Sequence, residues 1–364
     1  MRARWLYAAA TALVVAPLSL TVNAAANPLT SPEAMLAAAV QASKTTNFEG
    51  VLVYRSGSAM EVMRVVHRYR NREESERLLT LTGQTRELIR QGDRLTCILP
   101  RDHRLVLQRP SMKNFLTRLD GPAIAQLSQW YVFKDLGTDR IAGRDCIGVG
   151  VQPRDAYRYG YEIWLDSDRH LPLQVVLRGA DRRVLEQVMF TEISFPAKIP
   201  DQAFAPQVMP SPDYKVLTQR LHGDTATATA TVQSTAAERW HFGKLPPGFR
   251  MTLHDQRDMP DGVGHVDHML ISDGLSSVSV FAAQIHPTNP GLQGQSHIGA
   301  VHAYGRNLGG YHITVVGEAP ARTVQMIGNA IALPATASSE DAQARPQLTA
   351  PVAAAPSAAA VSIR

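Results

Sequence analysis

Residues 155–177 alternate between apolar and polar side chains. Every second position is apolar from 159 to 165 and again from 171 to 177. Successive side chains of a strand point to opposite faces, so each run predicts a strand with one apolar face. The polar residues 166–170 between the two runs predict a turn. The stretch is therefore expected to form an antiparallel hairpin with one buried and one solvent-facing side.

The solvent-facing side of this hairpin contains one residue that does not fit. Trp164 is a large aromatic side chain at a position that the alternation assigns to the polar face. A sheet that carries a tryptophan on its polar side is not wholly a core. The other members expected on that side are charged: Arg158, Glu162 and Asp166.

Short strand-like segments fill most of the chain from residue 48 to residue 193, and the regular spacing of turns between them predicts an antiparallel meander. With the hairpin they make ten or eleven strands, more than one flat open sheet carries comfortably. The predicted fold class is α+β, with a large curled antiparallel sheet, or half-barrel, whose concavity holds helices. The further predicted strands are 50–55, 60–69, 76–82, 86–91, 95–99, 104–107, 131–136, 141–151 and 184–193.

Two segments outside these strands have helical character. Ser31 followed by Pro32 is a typical helix start, and the Ala-rich sequence behind it predicts one helix that ends near Thr45. Residues 111–130 have helical apolar spacing and interrupt the strands, so they are expected to cover one face of the sheet.

A second, smaller α+β unit is predicted after residue 238. Its strands are 250–255, 266–272, 277–284, 300–305 and 311–317, with Asp273-Gly274 as a strong hairpin signal and a helix at 320–333. The full predicted division is a signal peptide at 1–26, a large domain at 27–208, a linker at 209–237, a small domain at 238–333 and a disordered tail at 334–364.

The first 26 residues resemble an export signal. Arg2 and Arg4 precede an apolar run that ends in small residues, and the alternative is an uncleaved membrane anchor. Removing this segment lowers Lys plus Arg from 37 to 35 against 32 acidic residues, a net charge of +3. Such a balance gives no support for nucleic-acid binding.

Cys97 and Cys146 are the two cysteines of the chain. In an oxidising compartment a single pair is most simply a disulfide, here between two predicted strands. The alternative is two buried thiols. Two cysteines alone make a poor metal site.

Catalytic and cofactor motifs are absent from the sequence, including a nucleophile elbow, a zinc-protease helix, a phosphate-binding loop and a dinucleotide fingerprint. Asp166 and Asp168 are best interpreted as solvated turn formers. Eight of the 12 histidines fall between His241 and His312, scattered over several predicted elements, which favours structural roles over a metal site or a pH-responsive surface. Binding, with no cofactor and no metal, is therefore favoured over catalysis.

Eight segments of the chain match a known family in the same order. They are FEGVLVY (48–54), IAGRDC (141–146), PRDAYRYGYEIWLD (153–166), LPLQV (171–175), LEQVMF (185–190), LPPGF (245–249), SDGLSSVSV (272–280) and TVVGEAP (314–320). By these segments the chain resembles the RseB/MucB family of periplasmic regulators of the sigma-E-type envelope stress response. The segments cover nearly all of the chain after the signal segment, and no single short motif carries the resemblance.

The resemblance implies a periplasmic protein without catalytic activity. Its large domain would be similar to the lipoprotein carrier LolA. Its partner would be the periplasmic domain of a membrane-spanning anti-sigma factor, which it would shield from the site-1 protease. Acyl lipid or lipopolysaccharide would release it, and homo-oligomers are possible. A lipid or lipoprotein carrier without a regulatory partner is the alternative.

Candidate binding residues follow from this implied role. Apolar residues of the helical insertion and two tryptophans are candidates for lipid binding, with core packing as the alternative for each. Three arginines of the small domain are candidates for pairing with an acidic segment of the partner, although exposed arginines are usually only solvated. The lipid candidates are Phe115, Leu116, Leu119, Ile124, Leu127, Trp130 and Trp164, and the partner candidates are Arg250, Arg257 and Arg306.

Overall fold

The computed structural model describes residues 31–101, 121–208, 211–220, 240–259, 264–285 and 291–333. Its helices are α1 (Pro32–Thr45), α2 (Gly121–Leu127) and α3 (Ala321–Ala330), with a short 3₁₀ helix at Asp201–Phe204. None of the helices in these ranges is long and apolar enough to cross a bilayer. The strands are β1 (Phe48–Ser56), β2 (Ala59–Arg70), β3 (Glu73–Thr80), β4 (Glu87–Gln91), β5 (Arg94–Pro100), β6 (Tyr131–Ile141), β7 (Arg144–Pro153), β8 (Gly160–Asp166), β9 (Pro172–Arg178), β10 (Val184–Ser194), β11 (Tyr214–Arg220), β12 (His241–Phe242), β13 (Arg250–Met259), β14 (Gly264–Ser272), β15 (Ser277–Gln284), β16 (Gly294–Ile298), β17 (Val301–Leu308), β18 (Tyr311–Gly317) and β19 (Ile331–Ala332).

Helix α1 begins and ends where its sequence predicts. The Ser31 hydroxyl accepts a hydrogen bond from the Ala34 N–H at 3.1 Å, which satisfies one of the N–H groups that a helix start leaves unpaired. At the other end the Thr46 N–H donates to the Ala42 carbonyl. Leu36 and Ala39 are fully buried against the large sheet.

The large sheet contains eleven strands in the order β11-β5-β4-β3-β2-β1-β10-β9-β8-β7-β6, and every neighbouring pair is antiparallel. Its two edge strands, β11 and β6, do not pair with each other, so the sheet is open. The predicted large antiparallel sheet with few helices is confirmed. We call this sheet with α1 and α2 the larger unit.

Two sequence predictions in the larger unit need correction. The alternation that predicts a strand from residue 155 fails at the start, because β8 begins at Gly160 and residues 155–159 form a loop. Part of the predicted linker is a strand, since β11 pairs with β5 along Tyr214–Arg220. The other domain boundaries remain predictions, and both chain ends, 1–30 and 334–364, lie outside the described residues.

The predicted disulfide is also wrong in this structure. Cys97 and Cys146 both lie in described strands, and no disulfide joins them. Seven strands separate β5 from β7 in the sheet, and the two side chains belong to different hydrophobic clusters. Burial raises the pKa of the Cys146 thiol to about 11, so this group stays protonated at neutral pH.

The smaller unit is a six-stranded antiparallel sheet in the order β13-β14-β15-β18-β17-β16 with α3 on one face. Beside it, β12 and β19 form a two-stranded ladder. This confirms the predicted small α+β unit. Strand β16 escapes prediction because its sequence, GQSHI, is almost entirely polar and mostly exposed.

The hydrophobic core of the larger unit extends to the smaller one. Helices α1 and α2 pack with the inner residues of β7, β8 and β9 in one cluster. Leu275 and Ala300 of the smaller unit are fully buried in the same cluster. The two units therefore meet through a shared apolar contact rather than through a chain connection alone.

Candidate functional site

The contact between the two units is the candidate functional site, and we call it the junction. The larger unit contributes Trp130, Tyr131 and residues 155–161. The smaller unit contributes four segments: 247–249, 273–276, 299–302 and 318–323.

Arg158 lies at the centre of the junction with a fully buried side chain. The loop before β8 turns it inward, since the Asp155 carboxylate accepts from the Tyr157 N–H at 2.9 Å and from Arg158 Nε at 3.0 Å. The remaining guanidinium nitrogens reach the smaller unit. One donates to Asp273 Oδ2 at 2.7 Å and the other to the Pro247 carbonyl at 2.5 Å.

Asp273 receives Arg158 from the turn between β14 and β15. Its Oδ1 atom accepts from the N–H groups of Leu275 and Ser276 at 2.9 and 2.7 Å, which is the turn chemistry that the Asp-Gly signal predicts. Its Oδ2 atom also accepts from the Tyr131 hydroxyl at 3.0 Å. Burial raises the pKa of Asp273 above its usual value, although Arg158 and these donors act to lower it.

Aromatic rings surround the buried guanidinium. Its central carbon lies 5.2 Å from the ring centres of both Trp130 and Phe249, and 5.5 Å from that of Tyr131. Burial raises the pKa of the Tyr131 hydroxyl well above its usual range, so it stays a donor. Rings of this kind favour a desolvated cation through their negative faces, so they add to the two carboxylates that neutralise Arg158.

Trp130 also fixes the turn 245–249 of the smaller unit. Gly248 has a φ of +80°, and a Cβ built there would lie 2.3 Å from the indole. Glycine is required here for two reasons: the left-handed backbone and the close approach of the ring.

A second set of junction contacts involves hydroxyl groups. Tyr159 donates to the Ala300 carbonyl at 3.2 Å and lies 3.2 Å from His302 Nδ1. Tyr161 donates to Glu318 at 3.3 Å, and the fully buried Thr323 donates to the Tyr157 carbonyl at 2.6 Å. These contacts continue the junction away from Arg158.

The predicted lipid-binding residues separate into three groups. Phe115, Leu116 and Leu119 lie outside the described residues. Ile124, Leu127 and Trp130 come together at the junction, where the first two are buried in the cluster that includes Leu275.

Trp164 lies elsewhere. It is on the opposite face of β8 from Ile163 and Leu165, packed against a different cluster, and its ring covers Gly148 of the neighbouring strand. The aromatic residue on the polar side is thus accounted for by local packing. Lipid binding by all of these residues remains a prediction.

The three predicted partner-binding arginines have different surroundings. Arg250 is exposed at the start of β13. The side chain of Arg257 lies outside the described residues. Arg306 donates to the carbonyls of Gly328 and Ile331, both at 2.7 Å, and so satisfies groups at the end of α3. Its guanidinium is engaged within the smaller unit, and partner binding by these residues stays a prediction.

Sequence reasoning missed the two charged residues that matter most at the junction. The alternation places Arg158 on a solvent-facing strand side, and the sequence predicts Asp273 only as a turn former. A signal for Arg158 existed, since Asp155 three residues earlier sits where a side chain can hold a loop rather than a strand. Nothing in the local sequence pairs residue 158 with residue 273.

One cluster of three polar residues in the smaller unit has the spacing of a Ser-His-Asp catalytic triad. His268 lies 2.8 Å from Asp255 through Nδ1 and 3.1 Å from Ser279 through Nε2. Acyl transfer also needs N–H donors for the developing oxyanion. Ser279 lies inside β15, which pairs with β14 on one side and β18 on the other, so the neighbouring backbone groups of these strands are occupied. We interpret the group as a structural network.

Comparison with known proteins decides the family. A family model described as the MucB/RseB N-terminal domain matches residues 31–208, and one described as the MucB/RseB C-terminal domain matches residues 234–332. The sigma factor AlgU regulatory protein MucB of Pseudomonas aeruginosa is 30% identical over 296 residues, which is 80% of this chain and 87% of that protein. The chain belongs to the MucB/RseB family.

Other members of the MucB/RseB family agree with this assignment. The sigma-E factor regulatory protein RseB of Escherichia coli is 28% identical over 324 residues, 88% of this chain and 96% of that protein. A chain in the structure of the Pseudomonas aeruginosa MucA/MucB complex has 26% sequence identity and a TM-score of 0.62. The match covers 83% of this chain and 98% of that chain. The structure of MucB alone, 25% identical, covers 82% and 95% with a TM-score of 0.55.

Proposed function

We propose that this chain is a periplasmic negative regulator of a sigma-E-type stress response that acts by binding the periplasmic domain of an anti-sigma factor. The observation that carries this proposal is the likeness to MucB solved in complex with the periplasmic domain of MucA, which extends over both units. The protein is proposed to act by binding rather than by catalysis. By binding, it protects the anti-sigma factor from cleavage by the site-1 protease.

The junction is proposed to set the affinity for this partner. The chain superposes better on MucB bound to MucA than on MucB alone, with TM-scores of 0.62 and 0.55 at nearly equal coverage. This difference supports the arrangement described here as the binding-competent one. If partner and releasing signal favour different arrangements of the two units, each weakens binding of the other by the same factor.

An acyl lipid is proposed as the releasing signal, acting through α2. Leu127 packs with Leu275 of the smaller unit, and its Cδ2 atom lies 3.5 Å from where a Cβ on Gly274 would be. An acyl chain that displaced α2 would therefore remove apolar contact from the junction. Release by lipid and loss of the junction would be the same event.

The partner proposal is tested with purified protein and the immobilised periplasmic domain of the anti-sigma factor. Retention with micromolar or tighter affinity, and slower cleavage of the anti-sigma factor by the site-1 protease, are expected. A carrier without a regulatory partner would not be retained, and this outcome would overturn the proposal. Variant Arg183→Ala is the matched control, because the Arg183 side chain is exposed and pairs with Asp181 two residues away.

The lipid proposal is tested through the fluorescence of Trp130. Replacing Trp164 and Trp240 by phenylalanine leaves Trp130 as the single tryptophan after residue 26. Displacement of α2 by a lysolipid below its critical micelle concentration should shift the emission to longer wavelength, because the half-buried ring becomes more exposed. Unchanged emission together with unchanged partner affinity would contradict lipid release while leaving partner binding intact.

A further inference from the structure

His302 lies where the hairpin of β16 and β17 meets the larger unit. Its Nδ1 atom is 2.9 Å from the Ala319 carbonyl and 3.2 Å from the Tyr159 hydroxyl. We call these three residues the histidine contact. It belongs to the junction, since Tyr159 is on the larger unit and the other two residues are on the smaller one.

The hydrogen bonds of the histidine contact determine where the imidazole proton lies. A carbonyl oxygen only accepts, so Nδ1 carries the proton and donates to Ala319. Tyr159 uses its own proton toward the Ala300 carbonyl at 3.2 Å, and its oxygen can accept from the same Nδ1–H. The neutral imidazole satisfies this geometry completely. Protonation in mild acid would add a proton at Nε2 and a positive charge to the ring.

One titratable neighbour of the histidine contact opposes such a charge. His297, directly opposite on β16, stacks on His302 with ring centres 5.6 Å apart and would repel the cation. Glu186 and Glu318 act on Tyr159, whose pKa burial and these carboxylates raise above its usual range. Each is also near another hydroxyl, Ser56 for Glu186 and Tyr161 for Glu318.

We propose that the histidine contact makes docking of the two units pH-dependent, with docking strongest at neutral pH and weaker in mild acid. This inference goes beyond the proposed function and does not rest on it, because the docking of the two units is measured without any partner. Arg158 and Asp273 hold the units at one place by charge, and the histidine contact adds a second place that a proton can weaken.

The direction follows from proton linkage. Burial lowers the pKa of His302 in the docked form, and the charge of His297 lowers it further, whereas two backbone carbonyls raise it. His297 and both carbonyls belong to the same unit as His302, so undocking removes chiefly the burial by the larger unit, and the pKa rises toward its ordinary value of about 6.5. The undocked form therefore binds the proton more readily, so the contribution of His302 to docking is complete above that value and is lost as the pH falls below it.

Hydrogen exchange at the junction measures this opening even when it is rare. The N–H groups of Leu275 and Ser276 donate to Asp273, which Arg158 of the larger unit also bonds, and we expect these groups to lose protection when the units separate. After correction for intrinsic exchange, we expect their protection to fall by up to about tenfold from pH 7.5 to pH 5.5, the limit for an imidazole that titrates near its ordinary pKa when undocked and stays neutral when docked. The backbone N–H of Val280, inside the smaller unit, serves as the internal reference.

Three variants separate His302 from other titrating groups. His302→Gln keeps a donor near Ala319 but cannot titrate, so the pH response at Leu275 and Ser276 should disappear. His265→Gln, on an exposed residue near the far end of β14, should leave the response unchanged. His297→Gln changes a neighbour that stays beside His302 whether or not the units are docked, so it should leave the response nearly unchanged.

Two results would overturn the proposal: wild-type protection that does not change between the two pH values, or a response that His302→Gln retains. Should His302→Gln fail to fold, the wild-type protein still decides the matter. The pH at the midpoint of the loss of protection must then match the midpoint of the His302 imidazole titration, measured by nuclear magnetic resonance. A mismatch would contradict the proposal.

Discussion

The two ends of the junction differ in how they hold the units together. Around Arg158 a fully buried cation meets two carboxylates, a carbonyl and three aromatic rings. Around His302 a half-buried neutral imidazole meets a carbonyl and a hydroxyl. Loss of one partner alone at the first end leaves an unpaired buried charge, whereas the second end is weakened by binding one proton.

This difference assigns the two ends different roles. A buried ion pair is seldom better than apolar residues of the same shape in free energy, and its value is in specifying one geometry. Arg158 can specify one geometry for two reasons. Its donors have fixed directions, and its acceptors come from both units. The Arg158 end therefore sets the arrangement of the units, and the His302 end adjusts how firmly they hold it.

The largest effect is expected from breaking the Arg158 end. Arg158→Ala leaves Asp273 buried without its cation and should lower the free energy of unfolding by about 3–5 kcal/mol, measured by urea denaturation. The matched Arg183→Ala should change it by about 0.5 kcal/mol at most, because its pair with Asp181 is solvent-exposed. Equal effects of the two variants would contradict a special role for the buried pair.

Removing both charges tests whether the cost comes from the unpaired carboxylate. Arg158→Met combined with Asp273→Asn should recover at least about 2 kcal/mol of what Arg158→Met alone loses, since neither charge is then buried without a partner. A double-mutant cycle on the free energy of unfolding measures this coupling. Additive losses would mean that the two side chains act independently.

A smaller effect is expected at the turn that Trp130 covers. Gly248→Ala combines a left-handed backbone with a contact to the indole and should cost about 2–4 kcal/mol. Gly143→Ala has a similar φ of +74° with nothing within 4 Å of the new Cβ, so only the backbone term of about 1 kcal/mol remains. Thermal unfolding of the two variants measures the difference in destabilisation. Identical unfolding midpoints would show that the contact with the indole adds no cost.

The smallest effect is expected at the histidine contact at neutral pH. Tyr159→Phe removes the hydroxyl shared between Ala300 and His302 and should cost about 1 kcal/mol, as a single neutral hydrogen bond does. Tyr304→Phe is the control, because its hydroxyl bonds Asn329 within the smaller unit. Tyr159→Phe should lower exchange protection at Leu275, and a loss of the same size from Tyr304→Phe would show a general effect of stability.

The sequence predicts the fold well where structure depends on local chemistry. The start of α1 depends on Ser31 and Pro32, and the turn between β14 and β15 on Asp273 and Gly274, and both appear as expected. Strand β16 is missed because strands held at a sheet edge by backbone pairing need no apolar pattern.

The junction is harder to predict because its partners are far apart in sequence. Residue 158 bonds residue 273, 115 positions away, and periodicity cannot report such a pair. Alternation also misplaces Arg158, since it assumes that a strand continues through residues 155–159, where Asp155 in fact holds a loop. The anomalous Trp164 packs over Gly148 of the neighbouring strand, a contact that the alternation along one strand cannot show.

The affinity of the periplasmic domain of the anti-sigma factor for Arg158→Ala tests the central claim most directly. If the junction holds the units in the binding-competent arrangement, the variant should bind at least about tenfold more weakly than the wild type in calorimetry, a difference of about 1.4 kcal/mol. Arg183→Ala should bind as the wild type does. Wild-type affinity in a folded Arg158→Ala protein, with junction amides that exchange faster, would show that the partner does not depend on how the two units are joined.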